Sequence, residues 1–208
     1  MKTLYLLAVL TMTTQLVLAQ TTFSIEYVLT NKDNAASIFG AELDVYFNKR
    51  TEGIYKKYDE GLYENALSKD ESGRNALKNN DIAAAQQHFE DAYELYNKSG
   101  IKQEAYRHMA VVLAYIQAVK GDPKSVKKKV KDVTGKALKD PYVMIYLAAA
   151  LSLVDEFEDA ESFLYESLDF NPQFCATYDN FIYLYKNQLD NPKRVKKFTE
   201  RKQSDCIK

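Results

Sequence analysis

The sequence predicts an all-α fold, a helix-turn-helix repeat solenoid of about four helix pairs with an extra N-terminal helix. Three observations predict it. A small residue, a bulky apolar residue four on and a small or apolar residue three beyond recur as Ala85, Phe89, Ala92, as Val126, Val130, Val133, and as Ala160, Leu164, Ser167. With the small residue taken as the fixed point of the register, units start at 66, 107, 141 and 175, at intervals of 41, 34 and 34 residues. Helix breaks fall between the halves of the units, at Asn79-Asn80-Asp81, Gly121-Asp122-Pro123 and Asp190-Asn191-Pro192. Helix pairs at such a period cannot bury their apolar faces alone and must stack on their neighbours.

The elements follow in order. Met1 to Ala19 carries one charge, Lys2, then the apolar run Leu4 to Leu10, then small residues before Ala19. Those are the three parts of a secretory signal, with cleavage expected before Gln20. Thr11, Thr13, Thr14 and Gln15 interrupt the run, against the 20 or so apolar residues that a membrane span needs. The expected location is therefore the periplasm or outside the cell, and with Gln20 rather than Cys after the cut no lipid anchor is expected there. Residues 20–50 form a leader and a first helix. Phe23, Ile25 and Tyr27 alternate loosely, so 20–33 reads as a short strand or a disordered leader. Ala35 to Asn48 has a helical period in Ile38, Phe39, Leu43 and Tyr46, with Asn34 as its cap.

Residues 51–208 are the repeat domain. Ile54, Tyr58, Leu62 and Ala66 open a long amphipathic helix that runs to Lys78, with a kink allowed at Gly61 or Gly73. Ile82 to Tyr96 returns, and Lys98-Ser99-Gly100 stops it. Seven extra residues, Gly100 to Tyr106, lengthen the next helix, from about Ile101 to Val119, and Lys124 to Leu138 returns. Pro141 to Phe174 is the clearest unit, with Leu147, Ala148 and Leu151 in one helix and Phe157, Ala160 and Leu164 in the other.

In that unit the chain resembles the tetratricopeptide repeat (TPR) family. Leu147-Ala148, Phe157, Ala160, Leu164, Ser167 and Pro172 stand where its pattern asks for them. The unit from Ala66 matches in Gly73, Ile82, Ala85, Phe89 and Ala92, but has Ala76 where the family favours an aromatic. The unit from Arg107 keeps Leu113-Ala114 and Gly121. The last unit keeps Phe181 and Tyr185 but puts Arg194 at the small position, which reads as a terminal cap. The resemblance implies a right-handed superhelix whose first helices line a concave face. Tyr115, Tyr142, Tyr146 and Tyr183 would lie on that face as partner-binding residues, against the rival reading that they are core. At the positions where some family members grip a C-terminal carboxylate, this chain has Asp70, Arg74, Val112, Tyr142 and Tyr146, so that clamp is not expected. The Ala-Gln cut and the Tyr-, Asn- and Lys-rich chain resemble exported proteins of the Bacteroidetes.

Composition narrows the function. Lys and Arg number 28 against 29 Asp and Glu, so removing Lys2 with the signal leaves a net charge of −2. Near-neutral balance gives no general pull toward nucleic acid or anionic lipid. The lysines from 124 to 136 and the cations from 193 to 202 form two basic helices with no interleaved aromatic stacking platform between 124 and 131. Compensating acids are sought in Glu42 to Glu71. His88 and His108 are the only histidines and stand in no metal-ligand spacing, the seven glycines are isolated, and no nucleophile elbow is present. No catalytic residue, cofactor or metal is therefore expected. Cys175 and Cys206 lie at the two ends of the last helix pair, so they form the one candidate disulfide for an oxidising compartment, against two free thiols. The function expected is a non-catalytic scaffold for a protein or peptide partner. The alternative is a carbohydrate-associated binding protein of a glycan-uptake system.

Overall fold

The computed structural model describes residues 23–48, 58–100, 104–134 and 140–206. The signal segment, Ile54, Leu138 and the side chain of Val133 lie outside the described residues. Every regular element among those described is helical: α1 (Ile25–Thr30), a 3₁₀ turn (Lys32–Asn34), α2 (Ala35–Asn48), α3 (Glu60–Lys78), α4 (Ile82–Lys98), α5 (Glu104–Val119), α6 (Pro123–Thr134), α7 (Pro141–Leu153), α8 (Phe157–Phe170), α9 (Cys175–Asn187) and α10 (Pro192–Asp205).

From α3 onward the helices form pairs, and each pair packs on the next in sequence order, as in a helical repeat. Second helices begin at 82, 123, 157 and 192, at intervals of 41, 34 and 35 residues, within one residue of the spacing seen in the sequence. Local chemistry sets those starts. Asp59, Asp81, Asp140 and Asn191 each accept a hydrogen bond from a backbone N–H in the first turn of the helix that follows, and Pro141 and Pro192 occupy first-turn positions where no N–H is needed. Asn80, Asp155 and Asp190 take positive φ in the turns within pairs, and Gly121 does so at +71°.

The small-bulky-small triplets are the buried stripes of the second helices. Ala85, Phe89 and Ala92, like Ala160, Leu164 and Ser167, are fully buried. Gly73 of α3 is part of the same packing, since a Cβ there would lie 2.8 Å from the Phe89 ring. The helix therefore continues through Gly73. α7 is buried on every side from Val143 to Ser152 because α1, α5, α6, α8 and α9 surround it. Cys175 and Cys206 are joined in a disulfide with their Cα atoms 5.4 Å apart.

Two sequence-based expectations need correction. The leader is neither strand nor irregular where it is described: Ser24 accepts a hydrogen bond from the Tyr27 N–H and starts helix α1, which buries Ile25 and Val28 three apart. The long helix begins at Glu60, with Tyr58 and Asp59 outside it, because the Asp59 carboxylate caps the Leu62 N–H. Arg194 lies on the last described helix, as expected of a terminal cap, and its guanidinium donates to the Tyr165 hydroxyl of α8 and stands 5.8 Å from the centre of the Tyr185 ring, so it ties the last pair to the one before.

The basic helices are balanced from an unexpected side. α8 carries Glu158, Asp159, Glu161, Glu166 and Asp169 and no base, and Lys127 of α6 reaches Glu156 at 2.7 Å and Asp159 at 3.3 Å. Two acids of the stretch from Glu42 to Glu71 are engaged elsewhere, at the N-terminal segment.

Candidate functional site

The first helices of the pairs, α3, α5, α7 and α9, present one face, and residues 23–48 lie across it. α1 packs on α7 and α9, and α2 packs on α3 and α5, so the segment runs against the order of the row. Its apolar anchors are Phe23, Ile25, Val28, Ala35, Ala36, Phe39 and Leu43, all buried. Phe39 stacks on Tyr115 with ring centres 3.9 Å apart and meets Tyr146 edge-on at 5.5 Å, while Phe23 meets Tyr146 edge-on at 5.1 Å.

Polar contacts spread along the same length. The Ile25 N–H donates to Asn180 Oδ1 of α9 at 2.6 Å. The Tyr115 hydroxyl donates to the Ala35 carbonyl at 3.3 Å, and the Tyr146 hydroxyl donates to Glu42 Oε1 at 2.7 Å. Ser37 donates to the Lys78 carbonyl at 2.9 Å. Asp44 accepts from Arg74 Nε at 2.9 Å and from Lys78 Nζ at 2.6 Å.

Of the four tyrosines expected to line an open groove, Tyr115 is 0% and Tyr146 is 2% exposed. Both lie on the side of α5 and α7 that the chain's own α1 and α2 cover, and they are core residues there. Burial pushes both hydroxyls well above the usual phenol range, Tyr146 further through the neighbouring Glu42 carboxylate. Tyr142 is half-buried, packed edge-on against Phe174 at 4.6 Å and near Tyr46 at 6.2 Å. Tyr183 is half-buried on α9. The structure thus brings together Tyr115, Tyr142 and Tyr146 around α2 and leaves Tyr183 accessible.

A second cluster was not legible from spacing. Tyr46 of α2, His108 of α5 and Asp140 before α7 are 5%, 4% and 3% exposed. The Tyr46 hydroxyl donates to Asp140 Oδ2 at 2.5 Å and contacts His108 Nε2 at 2.6 Å. A phenol has one proton, so with that proton on Asp140 the histidine must present Nε2–H to the oxygen. The three groups satisfy one another away from water, which is the behaviour of a structural network. Asp140 also holds the Tyr142 N–H at 3.0 Å, so this network fixes the start of α7.

A third feature sits where α2 meets α3. Asp70 is 1% exposed, and its Oδ2 pairs with Arg74 while its Oδ1 has no hydrogen-bond partner. Burial pushes its carboxyl from the ordinary 3.8 up to about 7 against the pull of Arg74, with the Asp44 and Glu71 carboxylates adding to the rise. His88 lies apart from this site, on α4, with its Nδ1 buried and unpaired.

Among the described residues no three or more His, Cys, Asp or Glu side chains are placed to hold a metal ion, and no helix is long and apolar enough to cross a membrane. Compared with known proteins, this chain matches no family profile, no curated protein and no solved structure.

Proposed function

We propose that this chain is an exported, non-catalytic helical-repeat scaffold in the manner of the TPR family, and that it binds a protein or peptide partner through the face of α3, α5, α7 and α9. One observation carries the reading: that face already holds a stretch of polypeptide, residues 23–48, through stacked rings and hydrogen bonds to both side chains and backbone. A surface that binds chain in this way has the chemistry of a peptide receptor rather than that of a sugar site. The Cys175–Cys206 disulfide supports an oxidising compartment outside the cytoplasm.

A photoreactive residue in place of Tyr183, which is half-buried at the open end of the face, tests the reading in the exported protein. A discrete polypeptide adduct is expected there and not from the same probe at Lys193, exposed on the first turn of α10. Glycan-array binding without any polypeptide adduct would replace the scaffold by the carbohydrate-associated alternative. Intact-mass analysis of the same preparation should show a chain beginning at Gln20, and retention of Met1 would remove export from the proposal.

A further inference from the structure

The face of α3, α5, α7 and α9 selects the sequence that covers it. Gly40 of α2 passes so close to α3 that a Cβ there would lie 2.8 Å from Leu77 Cβ, 2.9 Å from the Lys78 backbone nitrogen and 3.1 Å from the Arg74 carbonyl oxygen. Two of those neighbours are backbone and cannot turn aside, so glycine alone fits. One residue before it, Phe39 stacks on Tyr115. Two residues after it, Glu42 accepts from Tyr146. Asp44 then sits between Arg74 and Lys78, and Tyr46 reaches Asp140 and His108. Anchors at 39, 42 and 46 and at 40 and 44 follow the spacings by which an amphipathic helix seats in a groove.

The same segment is an addition to the row rather than a member of it. The pairs α3/α4, α5/α6, α7/α8 and α9/α10 each close on themselves, and residues 23–48 cross all four from outside that order. Within it, α1 adds the Ile25 amide on Asn180, and the exposed Lys32 adds only a 3.7 Å ion pair with Asp155. The hold at α2 combines the buried Ala35, Ala36, Phe39, Leu43 and Tyr46 with single polar contacts, Asp44 on two cations, Glu42 on a hydroxyl and Ser37 on a carbonyl.

We infer that residues 23–48 are a tethered, displaceable occupant of this face, and that the partner which replaces them is an amphipathic helix with an aromatic residue followed by Gly at the next position, acids three and five positions on, and Tyr at the seventh. The inference rests on the reading of this face as a partner surface. It identifies the partner by its anchors: the aromatic fills the space over Tyr115, the glycine admits the backbone to α3, the first acid takes the Tyr146 proton donor, the second neutralises Arg74 and Lys78, and the tyrosine completes the pair of Asp140 and His108.

The test uses the full chain with a protease site placed between Asn48 and Tyr58, cut after folding, so that the N-terminal fragment stays bound only by its contacts. A fluorescent synthetic peptide of residues 23–48 is then added. The expected result is exchange of the bound fragment for the labelled peptide, read by anisotropy, with the circular dichroism of the rest unchanged. The same peptide carrying Gly40→Leu should bind about a hundredfold more weakly, as removal of a central anchor does. Because the inserted site could itself disturb folding, the uncut Gly40→Leu full-length protein provides a second route: its own segment is expelled by the clash with α3, and it should take up the wild-type peptide that the parent protein excludes. Absence of exchange in both proteins, equal binding of the Gly40→Leu peptide, or collapse of the remaining helices when the fragment leaves would each overturn the inference. A polypeptide adduct at position 183 that persists while no exchange occurs would leave the scaffold reading standing and remove this one alone.

Discussion

The two ends of this molecule are fastened in different ways. At the C-terminal end α9 and α10 close on a single aromatic stack and one covalent bond: Phe198 lies 4.1 Å from Phe181 and 5.6 Å from Tyr185, ring on ring, and the Cys175–Cys206 disulfide ties the first residue of α9 to the residue after α10. At the N-terminal end residues 23–48 are spread over four helices, with a stacked pair, two edge-on rings and a series of single hydrogen bonds and ion pairs. A hairpin that carries its own stack and a covalent link is fastened within itself as well as to α8. A segment whose contacts, buried apolar anchors and single polar bonds alike, are distributed over the row is stable only as long as the row beneath it is intact.

The largest expected effect is at the stack. Phe198 is fully buried against Phe181, Tyr185, Tyr165 and Tyr178, so Phe198→Ala should cost about 3 to 5 kcal/mol in urea unfolding. Reduction of the disulfide should remove a further contribution of about 3 to 4 kcal/mol, because the bond closes a loop of 31 residues. The loss should be cooperative with α9 and should leave the fluorescence of a probe on α2 unchanged until the row itself unfolds. If the α2 probe responds first, the two ends do not come apart separately.

The repeat spacing was legible in the sequence, whereas Phe198 at the centre of the C-terminal stack and the N-terminal arrangement were not, for physical reasons that can be named. The period of Ala160, Leu164 and Ser167 reports burial against a neighbouring helix a few residues away, and such local packing leaves its mark at fixed spacing. Cys175 and Cys206 were paired by the same local logic, since a hairpin turning at Asp190-Asn191 brings them level. Helix α1 has six residues, too few to show a period, and the alternation of Phe23, Ile25 and Tyr27 resembles a strand because Phe23 is buried from outside the helix while Tyr27 is exposed. The only local signal for it is Ser24 as an N-cap with Ile25 and Val28 three apart. Tyr46, His108 and Asp140 meet across separations of 62 and 94 residues, which no spacing rule covers. The same absence hid the cover over Tyr115 and Tyr146: a face built from successive helix pairs looks open when read one pair at a time, because the segment that closes it lies far off in sequence.

The second prediction sharpens the contrast by pH. Asp70 lies under the α2–α3 contact, faced by Arg74 and Glu71 from its own helix and by Asp44 from α2, with Lys78 on the far side of Asp44. Its folded pKa of about 7 stands above the ordinary 3.8, so the folded protein binds the extra proton between those values and the unfolded chain does not. Stability from this group is fully present below about pH 4 and is lost as pH rises through 7, by up to about 4 kcal/mol. Asp70→Asn should abolish this slope while keeping the size of the side chain. Removal of Asp44 by Asp44→Asn should lower the pH at which the slope ends, because one source of the upward push is gone. A wild-type stability that rises between pH 5 and 8, with no difference in Asp70→Asn, would show that Asp70 is ionised at no cost and that Arg74 alone settles its charge.

The smallest expected effect is the most useful discriminator of how the N-terminal segment is held. Lys32 and Asp155 form the one ion pair between the 3₁₀ turn and the α7–α8 connection, at 3.7 Å, and their side chains are 52% and 72% exposed. Two such groups keep most of their hydration, gain little Coulomb energy across water, and lose side-chain freedom on pairing, so Lys32→Ala should change stability by less than about 1 kcal/mol and the change should vanish in high salt. The aromatic anchors Phe23 and Phe39 lie within 6.1 Å and 3.9 Å of Tyr115 and are buried, Phe39 wholly, so they set the position of the segment while the charges adjust its grip. A salt-sensitive loss in Lys32→Ala comparable to that of Phe198→Ala would reverse this order. The segment would then be held at its exposed turn by charge, and the pattern from Phe39 to Tyr46 would no longer describe what the face selects.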